Sequence, residues 1–236
     1  MEQVGLNIVP RLRYTPENFV FHSGTEQAWD ACISQLPLDS FQICYLHAAN
    51  RYGKTHFSIA LSDWLAKREM FPKLMDGLSF EKWLLQNFLN DSKHIRTVDP
   101  SEVIIVDDAD LYFDKITPGL SGPFVNFVET YRTAKAGIVF LSSKSIDALP
   151  CDNHVISRLK AGAGLSILAP SPEELPKILS ALAKQRGVKL TERNILFLEK
   201  RLARDITSLE HYLDRLLHLS QALGKSIKFR LIADAV

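Results

Sequence analysis

The sequence predicts an α/β fold: a parallel five-stranded sheet with helices on both faces, followed by a small C-terminal domain made only of helices. Five short apolar runs have the length of buried strands, and helical patterns separate the first four of them. Beyond about residue 169 the pattern is helical throughout. Strands that alternate with helices form parallel sheets covered on both faces, which gives the α/β assignment.

The predicted strands follow the apolar runs Phe41–Leu46, Lys73–Asp76, Val103–Asp108, Gly137–Ser142 and Leu165–Leu168. The clearest helical pattern spans Thr55–Met70, where apolar side chains recur on one face. Parallel sheets bind their ligands beyond the carboxyl ends of the strands. We therefore expect a functional site in the segments that follow Leu46 and Val106.

The length of 236 residues allows one full-sized core and a small appendage. We predict an extended N-terminal arm over 1–22, an α/β domain over 23–168 and a helical domain over 169–236. Pro172 with two following glutamates has the composition of a helix start, which supports the second boundary.

Composition excludes several classes of protein. The formal net charge of +1 gives no overall basic field of the kind that marks a nucleic-acid binder. No apolar run reaches the ~18 residues of a membrane span, and the N-terminus lacks the order of a signal peptide. Three separated cysteines without a CxxC pair indicate buried thiols in a reducing cytoplasm.

The first strand leads into a segment with the core of a phosphate-binding loop, Gly53-Lys54-Thr55, and then into a helix. In such a loop, backbone N–H groups and the helix N-terminus hold phosphates, the lysine neutralises them and the hydroxyl contacts Mg²⁺. Ala48, Ala49 and Arg51 stand where the pattern commonly has glycine. The alternative is therefore a loop that has lost nucleotide binding and only connects strand to helix.

The third apolar run ends in Asp107 and Asp108. The first carboxylate can hold Mg²⁺ and the second can polarise an attacking water, as in a Walker B strand. The alternative is an aspartate pair that opens the turn into the next helix. We expect Asp110 to be solvated or to cap a helix.

Several segments together resemble the AAA+ ATPase domain of the bacterial replication initiator DnaA. They are YTPENFV from Tyr14, GKTHF from Gly53, VIIVDDADLYF from Val103, IVFLSS from Ile138, ISRL from Ile156 and LARDI from Leu202. The resemblance covers about 14–236. From the length of the chain and the place where the sequence ends, we expect a regulatory paralogue of DnaA that lacks a dedicated DNA-binding domain.

The resemblance implies roles for individual residues. It implies an adenine nucleotide, ADP or ATP, held with Mg²⁺ by Thr55 and Asp107, and it makes Asp108 a catalytic carboxylate. The residues that it implies for nucleotide binding are Phe19, Val20, Asn50, Arg51, Tyr52, Gly53, Lys54, Thr55, His56 and Arg204. It makes Arg158 an arginine finger that acts in trans, and it leaves Ser143 where the family has a sensing aspartate. For Arg158 and for Arg204, the alternative is a local ion pair with a nearby carboxylate.

The resemblance also implies partners. Gln3, Leu6 and Ile8 fit a peptide that binds the DNA polymerase sliding clamp, and DnaA itself would be the second partner, with a homo-oligomer possible. We expect intrinsic ATPase activity to be weak or absent, with hydrolysis promoted on DnaA. Two alternatives stay open: a non-catalytic adaptor for DnaA or another replication factor, and a stand-alone ATPase of the helicase-loader type.

Overall fold

A computed structural model describes residues 14–36, 40–89, 96–117, 119–203 and 205–236, which form two compact units. One unit is Ser23–Leu168, and the other combines Ala169–Val236 with residues 14–22. We keep 23–168 and 169–236 as the domain boundaries that we propose.

The first unit is built on a five-stranded sheet in which every pairing is parallel, as predicted. Its strands are β1 Gln42–His47, β2 Phe71–Asp76, β3 Glu102–Asp107, β4 Gly137–Ser142 and β5 Ala163–Ser166, in the spatial order β2-β3-β4-β1-β5. Both β2 and β5 begin two residues before the predicted positions. Alanine and glycine at the start of β5 have low strand propensity, so pairing with β1 defines this strand rather than local preference.

Helices cover both faces of the sheet. They are α1 Ser23–Gln35, α2 Lys54–Ala66, α3 Gly77–Phe88, α4 Asp110–Phe113, α5 Gly122–Ala134 and α6 Asn153–Lys160. Alternate strand residues such as Tyr45 and Phe140 pack in one core with α3, α4, α5 and α6. On α1 and α2, the rings of Trp29 and Phe57 meet edge to face at 5.3 Å. Helix α2 ends before the predicted Met70, in a turn where Glu69 has a φ of 62°.

The second unit contains α7 Leu175–Gln185, α8 Glu192–Glu199, α9 Ile206–Leu223 and α10 Phe229–Asp234, which share an apolar core. The Arg186 side chain is buried and pairs with Glu210 and Asp214 at 3.3 and 2.9 Å. The Gln185 side chain donates to the Asn18 carbonyl oxygen at 3.0 Å, so residues 14–22 are joined to these helices. Across the described part of the chain, we find no helix with the length and apolar character to cross a membrane.

Candidate nucleotide-binding site

The segment between β1 and α2 is held in place by the neighbouring strand. The Ala48 N–H donates to the Ser142 carbonyl oxygen at the end of β4, at 3.0 Å. Gly53 has a φ of 82°, and no side chain caps the start of α2. The start of this helix is where a phosphate-binding loop uses backbone N–H groups to hold its ligand.

The missing glycines are compatible with the shape of the loop. Among residues 48–53, positive φ angles occur only at Arg51, with 71°, and at Gly53. Ala48 and Ala49 therefore occupy backbone conformations that any residue adopts. Arg51 carries the unfavourable conformation instead, at a cost of roughly 1–2 kcal/mol for a residue with a Cβ. The loop thus keeps its turn without glycine at 48 or 49.

The Lys54 ammonium lies against the backbone of this loop. It is 7% exposed, and its Nζ lies 3.3 Å from the Ala48 carbonyl oxygen and 3.5 Å from that of Ala49. An ammonium group held beside loop carbonyls at the start of a helix is positioned to neutralise a phosphate. The neighbouring Asn50, Arg51 and Thr55 are exposed, whereas Tyr52, Gly53 and His56 are half-buried.

Asp107, the last residue of β3, holds a buried carboxylate close to this loop. It is 8% exposed, and its Oδ1 has no hydrogen-bond partner among the described residues. Burial raises the pKa of this carboxyl and the Asp108 charge adds to the rise, while the Thr55 hydroxyl and the Lys54 ammonium oppose it. A buried oxygen without a partner is costly, so this position suits a bound cation.

The side chains at this end of β3 fit Mg²⁺. This ion prefers oxygen ligands, and it is bound in nucleotide sites by one or two protein groups together with phosphates. Asp107 Oδ1 supplies an uncommitted carboxylate oxygen, and Thr55 hydrogen bonds to the same carboxyl. We find no cluster of three or more His, Cys, Asp or Glu side chains suited to a metal within the described ranges. The fit therefore depends on phosphate oxygens completing the coordination.

Asp108 lies just beyond β3 rather than within it, with a φ of 45°. Its carbonyl oxygen closely approaches Gly77, where an added Cβ would be 2.6 Å from that oxygen. The turn that carries Asp108 thus packs directly on the start of α3. Sequence inspection missed Gly77, because only the long-range contact shows why this position needs a residue without a Cβ.

Asp110 was expected to be solvated or a cap, and that expectation was wrong. Its carboxylate accepts the Ser143 N–H at 3.0 Å, the Ser143 hydroxyl at 2.8 Å and the Ser142 hydroxyl at 3.2 Å. Burial opposes ionisation, but these hydrogen bonds lower the pKa of Asp110. These hydrogen bonds therefore join the turn after β3 to the end of β4. The Ser143 hydroxyl is hydrogen-bonded to a carboxylate of the same unit.

Arg158 on α6 is held by a carboxylate of the same unit. Its Nε and Nη2 lie 3.1 and 3.0 Å from Glu129 Oε1 on α5, and its Nη1 donates to the His154 carbonyl oxygen at 2.9 Å. Glu129 also pairs with Arg132 at 3.2 Å. The local ion pair that was the alternative for Arg158 is thus present. Its presence leaves the proposed role of Arg158 in trans untested.

Phe19 and Val20 belong to the unit of C-terminal helices, where Phe19 meets Phe21 edge to face and Val20 packs on the helical core. Two further predictions, Arg204 for the nucleotide and the peptide with Gln3, Leu6 and Ile8 for the clamp, fall outside the described residues.

Solved structures share this fold, although no model of a known protein family matches the sequence. Domain III of the Thermotoga maritima replication initiation protein DnaA is 16% identical, with a TM-score of 0.78 over 97% of this chain and 98% of that one. AMPPCP-bound DnaA from Aquifex aeolicus is 17% identical, with a TM-score of 0.68 over 94% and 80%.

A more distant likeness is to the Thermotoga maritima RuvB Holliday junction branch migration motor. It is 11% identical, with a TM-score of 0.64 over 94% of this chain and 71% of that one. At such identities a likeness establishes architecture and not activity. The chain shares the fold of DnaA domain III.

Proposed function

We propose that this protein binds an adenine nucleotide with Mg²⁺ and acts as a DnaA-related regulator of replication initiation. Two features carry this proposal, in a fold shared with DnaA. Lys54 lies against the loop backbone, and Asp107 Oδ1 is buried with no hydrogen-bond partner among the described residues. Lys54 and the first N–H groups of α2 hold the phosphates. Thr55 and Asp107 hold Mg²⁺, which neutralises phosphate charge when bound.

In its specific form, the proposal is that the protein resembles Hda, the regulatory inactivator of DnaA. With ADP bound, Arg158 enters the ATP site of DnaA and stabilises the charge that develops on the transferred phosphoryl group. An arginine supplied in trans accelerates hydrolysis by ~10³–10⁵-fold in the best cases. A contact with the sliding clamp through Gln3, Leu6 and Ile8 confines this action to active replication in the cytoplasm.

Single-turnover hydrolysis of ATP pre-bound to DnaA tests this function, on DNA that carries loaded clamps. We expect acceleration by the protein and its loss in Arg158→Ala. The control is Arg132→Ala, which removes the other arginine paired with Glu129 and should leave the acceleration unchanged. Equal acceleration by Arg158→Ala and the unaltered protein would refute the arginine role.

A second candidate is a non-catalytic adaptor that binds DnaA or another replication factor. The Arg158–Glu129 ion pair favours it, because an arginine engaged within its own chain has to break that pair before acting on a partner. The adaptor changes DnaA assembly without changing ATP hydrolysis per DnaA. Assembly measured by light scattering beside the hydrolysis assay separates the two functions.

A further inference from the structure

The unit of C-terminal helices carries an excess of positive charge that the composition of the whole chain hides. Residues 169–236 contain twelve Lys and Arg against eight Asp and Glu. Half of these acidic side chains already bond within the unit, to the Arg186 guanidinium or to backbone N–H groups at helix starts; they are Glu174, Asp205, Glu210 and Asp214. The cations thus outnumber the acidic side chains that remain to pair with them.

One face of α8 combines exposed cations with apolar side chains. Intervals of three and four residues place four side chains on the same side of this helix: Arg193, Leu196, Phe197 and Lys200. Leu196 is 56% exposed, and both cations are exposed as well. Among the described residues, neither cation has a carboxylate within ion-pair distance. An exposed leucine between two unpaired cations is a surface on which a partner can replace water.

The start of α10 extends this face. The rings of Phe197 and Phe229 meet edge to face at 5.1 Å, and the Arg193 guanidinium carbon lies 5.0 Å from the ring centre of Phe229. Phe229 is 40% exposed, and its chain neighbours Lys228 and Arg230 are exposed cations without an ion pair to any described carboxylate. We call the surface formed by these side chains the basic–apolar face; it consists of Arg193, Leu196, Phe197, Lys200, Phe229 and Arg230.

The size of the basic–apolar face favours a short segment of a partner over a folded surface. Helix α8 has eight residues and is therefore about 12 Å long. A standard interface between folded proteins buries ~800 Å² on each partner, which a helix of this length does not provide. A peptide segment needs only a few anchoring side chains, and exposed cations beside the apolar positions select carboxylates on that segment.

Two other anionic partners fit the face less well. Binding of single-stranded nucleic acid depends on bases stacked on rings, and Leu196, the most exposed apolar residue of the face, has no ring. A flat anionic lipid surface that reached Leu196 would also meet Glu192 and Glu199, which lie one helical turn before and after it on the opposite side from the cations. A narrow peptide can contact the cations and avoid these glutamates.

We propose that the basic–apolar face binds an acidic peptide segment of a partner protein. Apolar side chains of the peptide pack on Leu196 and Phe229, and its carboxylates pair with Arg193, Lys200 and Arg230. The face belongs to the helical unit and not to the unit that contains the loop of Lys54. The proposal therefore does not depend on nucleotide binding or on the proposed action on DnaA.

Fluorescence anisotropy of a short labelled peptide, in which Asp and Glu alternate with Leu and Phe, tests the proposal. We expect the peptide to bind, and we expect Leu196→Gln to weaken binding about tenfold because the burial of a leucine is lost. Arg193→Gln combined with Arg230→Gln should weaken binding severalfold at low salt. This second loss should shrink at high salt, since salt screens exposed charges, whereas the loss in Leu196→Gln should persist.

The α/β unit offers a matched control for each kind of variant. Leu85 on α3 is an exposed leucine on a helix, like Leu196. The Arg68 guanidinium carbon lies 3.7 Å from the centre of an aromatic ring, an arrangement that resembles that of Arg193. Leu85→Gln and Arg68→Gln should leave peptide binding unchanged. A peptide with Ser in place of Leu and Phe should bind at least about tenfold more weakly, because it lacks the apolar side chains.

Several results would overturn the proposal. They are the absence of peptide binding, equal losses in Leu85→Gln and Leu196→Gln, and equal binding of the Ser-containing peptide. Binding of oligothymidine or of anionic lipid vesicles in place of the peptide, with the same dependence on Leu196, would assign the face to another class of partner. Self-association that Leu196→Gln abolishes, without peptide binding, would show that a second copy of the chain covers the face.

Discussion

Asp110 and Ser143 join the ends of two neighbouring strands. The Asp110 carboxylate accepts both the N–H and the hydroxyl of Ser143, at 3.0 and 2.8 Å, so the turn after β3 cannot move independently of the end of β4. These segments flank the candidate nucleotide site, because the ends of β4 and β1 are also joined, through Ala48 and Ser142. The scaffold of the site is therefore a network of hydrogen bonds around β4.

Removing the Asp110 charge should destabilise this scaffold. We expect Asp110→Asn to lower the free energy of unfolding by about 1–3 kcal/mol at neutral pH, since hydrogen bonds to a charged group are lost or weakened. The pKa of Asp110 is lowered from 3.8 in the folded protein, so its contribution is present above that pH and is lost as the pH falls through the folded pKa.

Urea unfolding at several pH values measures this effect. The difference in unfolding free energy between Asp110→Asn and the unaltered protein should narrow as the pH falls below 3.8 and close below the folded pKa of Asp110. Ser143→Ala keeps the N–H donor and should cost less. If the difference in unfolding free energy stayed constant down to acid pH, the charge of Asp110 would not contribute to stability.

Asp107→Asn should have the opposite effect on stability. Burial and the Asp108 charge raise the pKa of Asp107, so its ionised form destabilises the fold, and the penalty grows as the pH rises through the folded pKa. At neutral pH we expect the variant to have a higher Tm in the absence of nucleotide. In a protein of this size, Tm rises by about 2–4 °C for each 1 kcal/mol gained in the free energy of unfolding.

Thermal unfolding without nucleotide or Mg²⁺ checks this prediction. Asp108→Asn, which alters a half-buried carboxylate, should raise the Tm less. An unchanged or lower Tm for Asp107→Asn would mean that the ionised Asp107 carboxylate does not destabilise the fold.

Gly77→Ala should disturb the turn that carries Asp108. The added Cβ would lie 2.6 Å from the Asp108 carbonyl oxygen, and relieving this overlap should cost about 1–3 kcal/mol. Gly122→Ala at the first residue of α5 is the matched control, because its Cβ would meet open space. Urea unfolding should separate the two variants; equal stabilities would contradict the close approach.

Glu129→Gln should release Arg158 from its ion pair. Exposed pairs contribute about 0.2–1 kcal/mol, so we expect up to about a fivefold rise in the stimulation of DnaA-bound ATP hydrolysis. The expected change in stability is correspondingly small. Arg132→Gln leaves the pair of Arg158 with Glu129 intact and should produce no rise. Stimulation that falls in Glu129→Gln would indicate that Glu129 positions Arg158 rather than restrains it.

Local sequence determined much of the fold and part of the site. The apolar runs and the segment around Lys54 are adjacent features of the chain, so their patterns predicted the strands and the loop. The contacts of Asp110 with Ser143 and of Arg158 with Glu129 join residues 33 and 29 positions apart, which no local pattern encodes. Whether Ala48 could replace glycine depended on its φ angle, which spacing alone does not give.

Nucleotide titration with and without Mg²⁺ tests the central claim most directly. A fluorescent ADP analogue should bind the unaltered protein, and Lys54→Ala should weaken binding about 10–100-fold, the loss expected for a charge-assisted contact of 1.5–3 kcal/mol. Asp107→Asn should remove the dependence on Mg²⁺. Lys67→Ala, which alters an exposed lysine just after α2, should bind normally. Identical binding by Lys54→Ala and the unaltered protein, with or without Mg²⁺, would contradict the assignment of this loop and of Asp107 as a nucleotide site.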